Sequence, residues 1–251
     1  MTRRKFLALG ALALPAAAGV DASWIEPTQL RITQLTMNED GPLRFVHFTD
    51  FHYKGDARYA TEMVEAINGL APQFVCFTGD LVEEKRFAPD ALDFIRKINA
   101  PVYGSPGNHD YWSYASFADY ERAFAETGGA WLADRSLMLA PYDLEIVGMA
   151  LLGIHAFKPP QAPRRLLLLH YPEFADRLGD VRFDLILAGH SHGGQFRLPF
   201  FGAPFLPLGC GPYDQGRFET RGGPLYVNAG IGTYRLPLRF NCRPEITVVR
   251  M

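Results

Sequence analysis

Cysteine is scarce in this chain of 251 residues. Cys76, Cys210 and Cys242 are the whole supply, an odd number with no Cys-x-x-Cys spacing, so neither a paired-thiolate motif nor a disulfide framework organises the fold. Cys76 lies in the apolar run 74–77 and reads as a packing residue, whereas Cys210 and Cys242 could pair in an oxidising compartment. Net charge is small as well. Lys plus Arg number 25 against 27 Asp plus Glu, a net charge of -2, which gives no electrostatic case for nucleic acid as the main partner. A phosphate-containing ligand would need positive charge supplied locally, and metal ions can do that. No internal repeat or low-complexity tract interrupts the chain, and no apolar run reaches the ~20 residues that a membrane-spanning helix wants. What is present is 48% hydrophobic residues, ample for the core of one compact catalytic domain.

Thr2-Arg3-Arg4-Lys5-Phe6-Leu7 stands near the start, and residues 6–20 carry no charge. A basic start, a short apolar centre and small residues at Ala16-Ala17-Ala18 or Val20-Asp21-Ala22 have the layout of an export signal. The adjacent arginines resemble a bacterial twin-arginine signal. The expectation is a twin-arginine-type signal or N-terminal anchor over 1–22, read by the twin-arginine export machinery, and a catalytic domain over 41–251. The protein would then be exported, either periplasmic or on the outer face of the cytoplasmic membrane. Export after folding suits a protein whose metals are loaded first, because metal binding is coupled to the folded arrangement of its ligands.

Short apolar runs recur along the chain, and chemically capable residues follow them. Run 43–49 reads as a strand that presents Asp50 and His52 on either side of Phe51. A helix over 57–70 leads to a second strand over 73–78, which delivers Gly79-Asp80; strand, helix, strand implies a parallel unit with ligands at the carboxyl ends. A helix over 89–99 and a brief strand over 101–104 lead into Gly107-Asn108-His109-Asp110. Residues 111–127 read as one helical stretch whose Phe117, Tyr120 and Phe124 form a packing stripe, and runs 136–139 and 144–147 read as strands of a second sheet. Run 165–169 ends at His170-Tyr171-Pro172, and run 183–188 ends at Gly189-His190-Ser191-His192-Gly193-Gly194-Gln195. His47, inside the first strand, and His155, near a proline-rich loop, read as non-ligands. Residues 196–212 are nearly uncharged and read either as a packed loop or as an apolar lip for a lipid-like substrate or a membrane surface. Closing strands are expected over 224–227 and 244–249.

The strand ends collect Asp50, His52, Asp80, Asn108, His109, His170, His190 and His192, with five of the chain's seven histidines among them. Carboxylates, imidazoles and an amide together suit divalent metals of intermediate hardness, Mn, Fe, Zn or Co, and exceed the needs of one ion. Two ions bridged by a shared carboxylate would clamp both the attacking and leaving oxygens of a phosphoryl displacement.

In this order the blocks Asp50-x-His52, Gly79-Asp80, Gly107-Asn108-His109-Asp110, His170 and Gly189-His190-x-His192 resemble the signature of calcineurin-like metallophosphoesterases over residues 44–195. The Gly-Gly-Gln after His192, segment 226–233 and Pro244-Glu245-Ile246 are similar to the exported or membrane-associated bacterial branch that includes YkuE-like and YaeI-like phosphodiesterases. The resemblance implies an α/β fold, a four-layer α/β/β/α sandwich of two mixed β-sheets flanked by helices. It implies one ion held by Asp50, His52, Asp80 and His192 and another by Asp80, Asn108, His170 and His190. It also implies that His109 protonates the leaving oxygen or stabilises phosphoryl charge, with Asp110 orienting it, while a hydroxide bridging the two ions attacks phosphorus. Phe51 and Tyr171 depart from the usual pattern without removing a ligand, and the short region 148–164 puts the substrate more in question than the chemistry. The function expected is an exported phosphodiesterase acting on a phosphate ester, lipid-linked or otherwise of the envelope. Phosphomonoesterase activity is the alternative within the same chemistry, and a non-catalytic envelope metal-binding or scaffold protein is the alternative outside it.

Overall fold

The computed structural model describes residues 19–151 and 159–251. Most of the expected export signal and His155 therefore lie outside the described residues. Among these residues no helix is long and apolar enough to cross a membrane.

Among the described residues, twelve strands form two six-stranded mixed sheets. In the first, β1 (Arg31–Thr36) pairs in parallel with β12 (Glu245–Arg250), which runs antiparallel to β2 (Arg44–Phe48). Parallel pairing then continues through β3 (Val75–Phe77), β4 (Val102–Gly104) and β5 (Ala130–Trp131). In the second, β7 (Leu144–Gly148), β8 (Arg164–Leu168), β9 (Leu185–Ala188) and β11 (Gly223–Val227) are parallel neighbours. Its two edges, β6 (Arg135–Leu139) and β10 (Gly216–Thr220), are antiparallel to β7 and β11 respectively.

Strand periodicity sorts side chains between layers. Val46, Phe48, Val75 and Phe77 face helices α1 (Ala57–Gly69), α2 (Ala88–Arg96) and α4 (Phe117–Glu126), while Phe45, Phe74 and Cys76 face the other sheet. Leu166, Leu168, Leu185 and Leu187 of the second sheet complete that middle layer, and Leu167, Ile186 and Ala188 point away from it. Continuous burial on both faces is why the central strands read as unbroken apolar runs rather than as alternating ones. The 3₁₀ helix Pro172–Arg177 and Tyr213 pack against this outer face of the second sheet. Helix α1 starts where the Asp56 carboxylate accepts from Tyr59 N at 3.0 Å, and it buries Ala60, Met63, Val64 and Ile67. Phe117, Tyr120 and Phe124 pack around Trp131, so the aromatic stripe is core.

Two boundaries differ from expectation. The domain expected over 41–251 leaves out β1, which is bound in register along the whole of β12. The single helix expected over 111–127 is two, α3 (Asn108–Trp112) and α4, because Tyr114 adopts a left-handed φ of 54° that no helix continues through. The cysteines that could have paired, Cys210 and Cys242, are free and buried.

Phe45 stacks on Phe74 with ring centroids 4.6 Å apart in the middle layer. Phe45→Ala should lower unfolding free energy in urea by ~3–5 kcal/mol, and Ile32→Ala, half exposed on the edge strand, by under ~1 kcal/mol; equal losses would contradict this layering.

Candidate metal centre

Each candidate ligand follows a strand at its carboxyl end. Asp50 and His52 follow β2, Asp80 follows β3, Asn108 follows β4, His170 follows β8, and His190 and His192 follow β9. An extended chain would keep residues two apart on the strand's own face, alternating with their neighbours. Instead Asp50, His52, Asp80, His190 and His192 have positive φ angles of 51°, 43°, 62°, 67° and 49°, which turn their side chains inward. Such left-handed residues cost ~1–3 kcal/mol each and persist only when neighbours hold them. Here Asp50 N donates to Gly79 O at 2.9 Å and His52 N to Asp80 O at 3.0 Å, tying one ligand loop to the other. Glycine permits the close approach: a Cβ on Gly107 would lie 2.2 Å from Asp80 Oδ1, and one on Gly189 would lie 2.3 Å from Asp50 Oδ2.

The side chains converge. His52 Nε2 and His192 Nε2 are 3.1 Å apart, Asp50 Oδ1 is 3.3 Å from His192 Nε2, and Asp80 Oδ2 is 3.5 Å from His52 Nε2. On the other side of Asp80, His170 Nε2 lies 3.2 Å from Oδ2 and 3.1 Å from Asn108 Oδ1. Three sets, Asp50–His52–His192, His52–Asp80–His109 and Asp80–His170–His190, each bring ligand atoms within 4.8 Å of one another. Outer partners fix two of the rings, since His170 Nδ1 donates to Thr78 O at 2.7 Å and His190 Nε2 to Leu208 O at 2.8 Å. A metal-ligating imidazole commonly has its second nitrogen held this way. Buried lone pairs and carboxylates aimed at one region need a proton or a cation between them, so the donor set fits divalent metal ions.

Two residues behave differently from expectation. Asp110 does not orient His109: its Oδ2 accepts from Asp80 N and Gly107 N, each at 2.8 Å, and its Oδ1 from Leu81 N at 2.9 Å and Tyr120 Oη at 3.0 Å. The carboxylate shapes the backbone under Asp80. Glu83, not singled out in the sequence, takes the orienting place, with Oε2 3.1 Å from His109 Nδ1 and Oε1 2.9 Å from His52 Nδ1. A carboxylate three residues beyond Asp80 was the available signal. His47 is buried with Nε2 2.9 Å from Thr78 Oγ1 and belongs to none of the ligand sets.

Behind the ligands, segment 228–232 presses on Asp50, where Gly232 N donates to Asp50 O at 2.7 Å. The fully buried Arg239 donates to the carbonyls of Ala229 at 2.9 Å, Gly230 at 3.0 Å and Gly232 at 3.1 Å. Glu245 accepts from Ala229 N at 2.9 Å and from Tyr226 Oη at 2.6 Å. Nothing in the one-dimensional pattern marks Arg239, because a single arginine between strands reads as surface.

The electrostatics of the protein groups follow from burial and pairing. Burial disfavours charge on His52, yet contacts with Asp50, Glu83 and Asp80 outweigh it and raise its pKa to about 9. Burial likewise opposes charge on His170, but Asp80 raises it to about 9. His190 is lowered to about 4 by burial and by the His170 charge, and burial holds His192 well below the usual range. Asp80 resists burial through His170 and His52 and falls to about 2; burial and the charge of Asp80 raise Asp110 to about 6.

A cavity of about 680 Å³ opens over Asp80, Asn108, His109, His190 and His192. Its walls include Trp112, Tyr171, Phe205, Leu208, Tyr234 and Arg235.

Comparison with known proteins agrees with this geometry. The sequence profile described as calcineurin-like phosphoesterase matches residues 43–194. The chain is 32% identical to the uncharacterized metallophosphoesterase YkuE of Bacillus subtilis (strain 168), covering 99% of this chain and 96% of that one. It is 27% identical to the phosphodiesterase YaeI of Escherichia coli (strain K12), covering 100% and 99%. It is 26% identical to the UDP-2,3-diacylglucosamine pyrophosphatase LpxG of Chlamydia trachomatis serovar D, covering 95% and 94%. Among solved structures, TT1561 of Thermus thermophilus shares the fold with a TM-score of 0.50 at 11% identity, covering 75% of this chain and 90% of that one.

Ligation requires neutral imidazole, so metal must displace the protons that His52 and His170 hold below about pH 9. Titrating Mn(II) into metal-free protein at pH 7 should release about two protons per chain and weaken as pH falls, with the release fading above about pH 9. Calorimetry in buffers of different ionisation enthalpy reads this directly; heats independent of buffer at pH 7 would contradict it.

Proposed function

Because the chain belongs to the calcineurin-like phosphoesterase family, we propose that it is a two-metal phosphodiesterase, exported and acting on a lipid-linked or other envelope phosphate ester. The observation that carries this is the meeting of Asp50, His52, Asp80, Asn108, His170, His190 and His192 around one region, beneath an open cavity that His109 also lines. Asp50, His52, Asp80 and His192 would hold one ion, and Asp80, Asn108, His170 and His190 a second, with Asp80 shared; Mn, Fe, Zn or Co suits the mixed donors. When bound, such ions supply Lewis acidity toward phosphoryl oxygens and make water a stronger nucleophile near neutral pH.

The chain's own residues do the rest. Glu83 holds His109 at Nδ1, so the ring is fixed where it can give a proton to the leaving oxygen or stabilise charge on the phosphoryl group. Asp110 keeps the Asp80 turn in place through backbone N–H groups. The cavity has room for substituents on both sides of a diester, and aromatic walls at Trp112 and Tyr234 suit apolar or ring-bearing groups. The relative YaeI is named a phosphodiesterase and the relative LpxG a pyrophosphatase for a diacylated sugar nucleotide, which supports the diester and lipid-linked class. Export rests on Arg3-Arg4 and the uncharged residues 6–20.

Bis-aryl phosphate should turn over faster than mono-aryl phosphate by at least about tenfold, and the reverse preference would make the enzyme a monoesterase. Asp80→Ala should abolish retention of both metals. His109→Ala should keep the metals and lose about 10²–10⁴-fold in rate; wild-type turnover in either variant would refute its assigned role.

A further inference from the structure

We infer that the segment from Phe196 to Leu208 is a docking ridge for a lipid bilayer, holding the mouth of the cavity against the membrane surface. Three observations converge on this face. First, the ridge exposes large apolar side chains one by one: Phe200 is fully exposed, and Phe201, Phe205 and Leu208 are 86%, 84% and 95% exposed. Leu198 and Gly202 bridge across the turn, so Phe200 and Phe201 stand at the tip of a hairpin. Separately projecting side chains suit insertion among lipid chains better than they suit a flush protein interface. The only charged residue from 196 to 212 is Arg197, paired with Asp214 at 2.8 Å, so no carboxylate on the ridge opposes an anionic surface.

Second, the ridge is continuous with the cavity. Phe205 and Leu208 form its wall, and the Leu208 carbonyl accepts from His190, so the ridge and the ligand cluster are mechanically one piece. Exposed Arg235 lines the same cavity and offers a cation to lipid phosphates. Third, the first described residues, which follow the uncharged run 6–20 in sequence, pack at the base of the same ridge. Arg239 N donates to Ala22 O at 2.9 Å, the next residue Phe240 stacks on Phe196 at 5.1 Å, and Asp21 and Pro199 line one cleft. Trp24 there is 80% exposed.

Docking does not depend on the chemistry of the cavity; that it delivers lipid-linked esters rests on the phosphodiesterase reading. The test uses the full chain with Phe200→Cys carrying an environment-sensitive nitrobenzoxadiazole label, the native cysteines being buried. The control label sits at Asn99→Cys, exposed ahead of β4 at the end of the strand away from the ligands. With phosphatidylcholine–phosphatidylglycerol vesicles bearing brominated acyl chains, emission from position 200 should shift to the blue and be quenched, and that from position 99 should not. No change at position 200 overturns the inference. A blue shift that grows with protein concentration without vesicles places a second copy on the ridge and also overturns it. In parallel, Phe200→Ser should leave soluble bis-aryl phosphate turnover unchanged and slow hydrolysis of a vesicle-borne phosphodiester at least about tenfold. Equal slowing of both would show a general structural defect and count against docking. Absence of turnover in the wild type, with the label still inserting, would sink the phosphodiesterase reading alone.

Discussion

Asp50 and Asp80 are buried carboxylates set among imidazoles where the ends of two sheets meet. Burying such groups is unfavourable unless each is paired, and here carboxylates face imidazoles across gaps of 3.2 to 3.5 Å. Much of the surrounding backbone serves that confinement. Left-handed turns aim the ligands, Gly107 and Gly189 leave room for carboxylate oxygens, and Asp110 binds four donors so that the Asp80 turn keeps its shape. A cation in the centre satisfies at once what protons on His52 and His170 satisfy in its absence.

The order of the sandwich explains how residues so far apart in sequence share one site. Parallel strands β2, β3 and β4 bring three ligand loops to one end of the first sheet, and β8 and β9 bring two more from the second. The middle apolar layer, with Phe45, Phe74 and the leucines of β8 and β9, sets the separation of the sheets and hence the spacing of the two ligand groups. Arg239 and Glu245 close the back by gripping segment 228–232 from its carbonyls and its N–H side, which presses Gly230 and Gly232 against the Asp50 loop.

Strands buried on both faces are dense in Val, Leu, Ile and Phe, and polar residues that interrupt such runs are conspicuous, so β2, β3, β8, β9 and the polar side chains that converge after them were legible in the sequence. Helices α1 and α2 were legible from their apolar spacing. Strand β1 was not, because an edge strand with one buried residue, Leu35, and an exposed Ile32 carries little apolar signal. The resemblance implies that Asp110 orients His109, whereas the first turn of α3 carries its side chain under the Asp80 loop. Glu83 and Arg239 act through contacts with residues from other loops, and such contacts leave no periodic trace.

Elemental analysis of the purified protein, repeated after chelation and after re-addition of Mn, Fe, Zn or Co with bis-aryl phosphate hydrolysis followed throughout, tests the central claim most directly. The account predicts about two metal ions per chain, loss of activity with the ions and recovery on their return. A chain that binds no ion, or that hydrolyses the ester equally well when stripped, would contradict it.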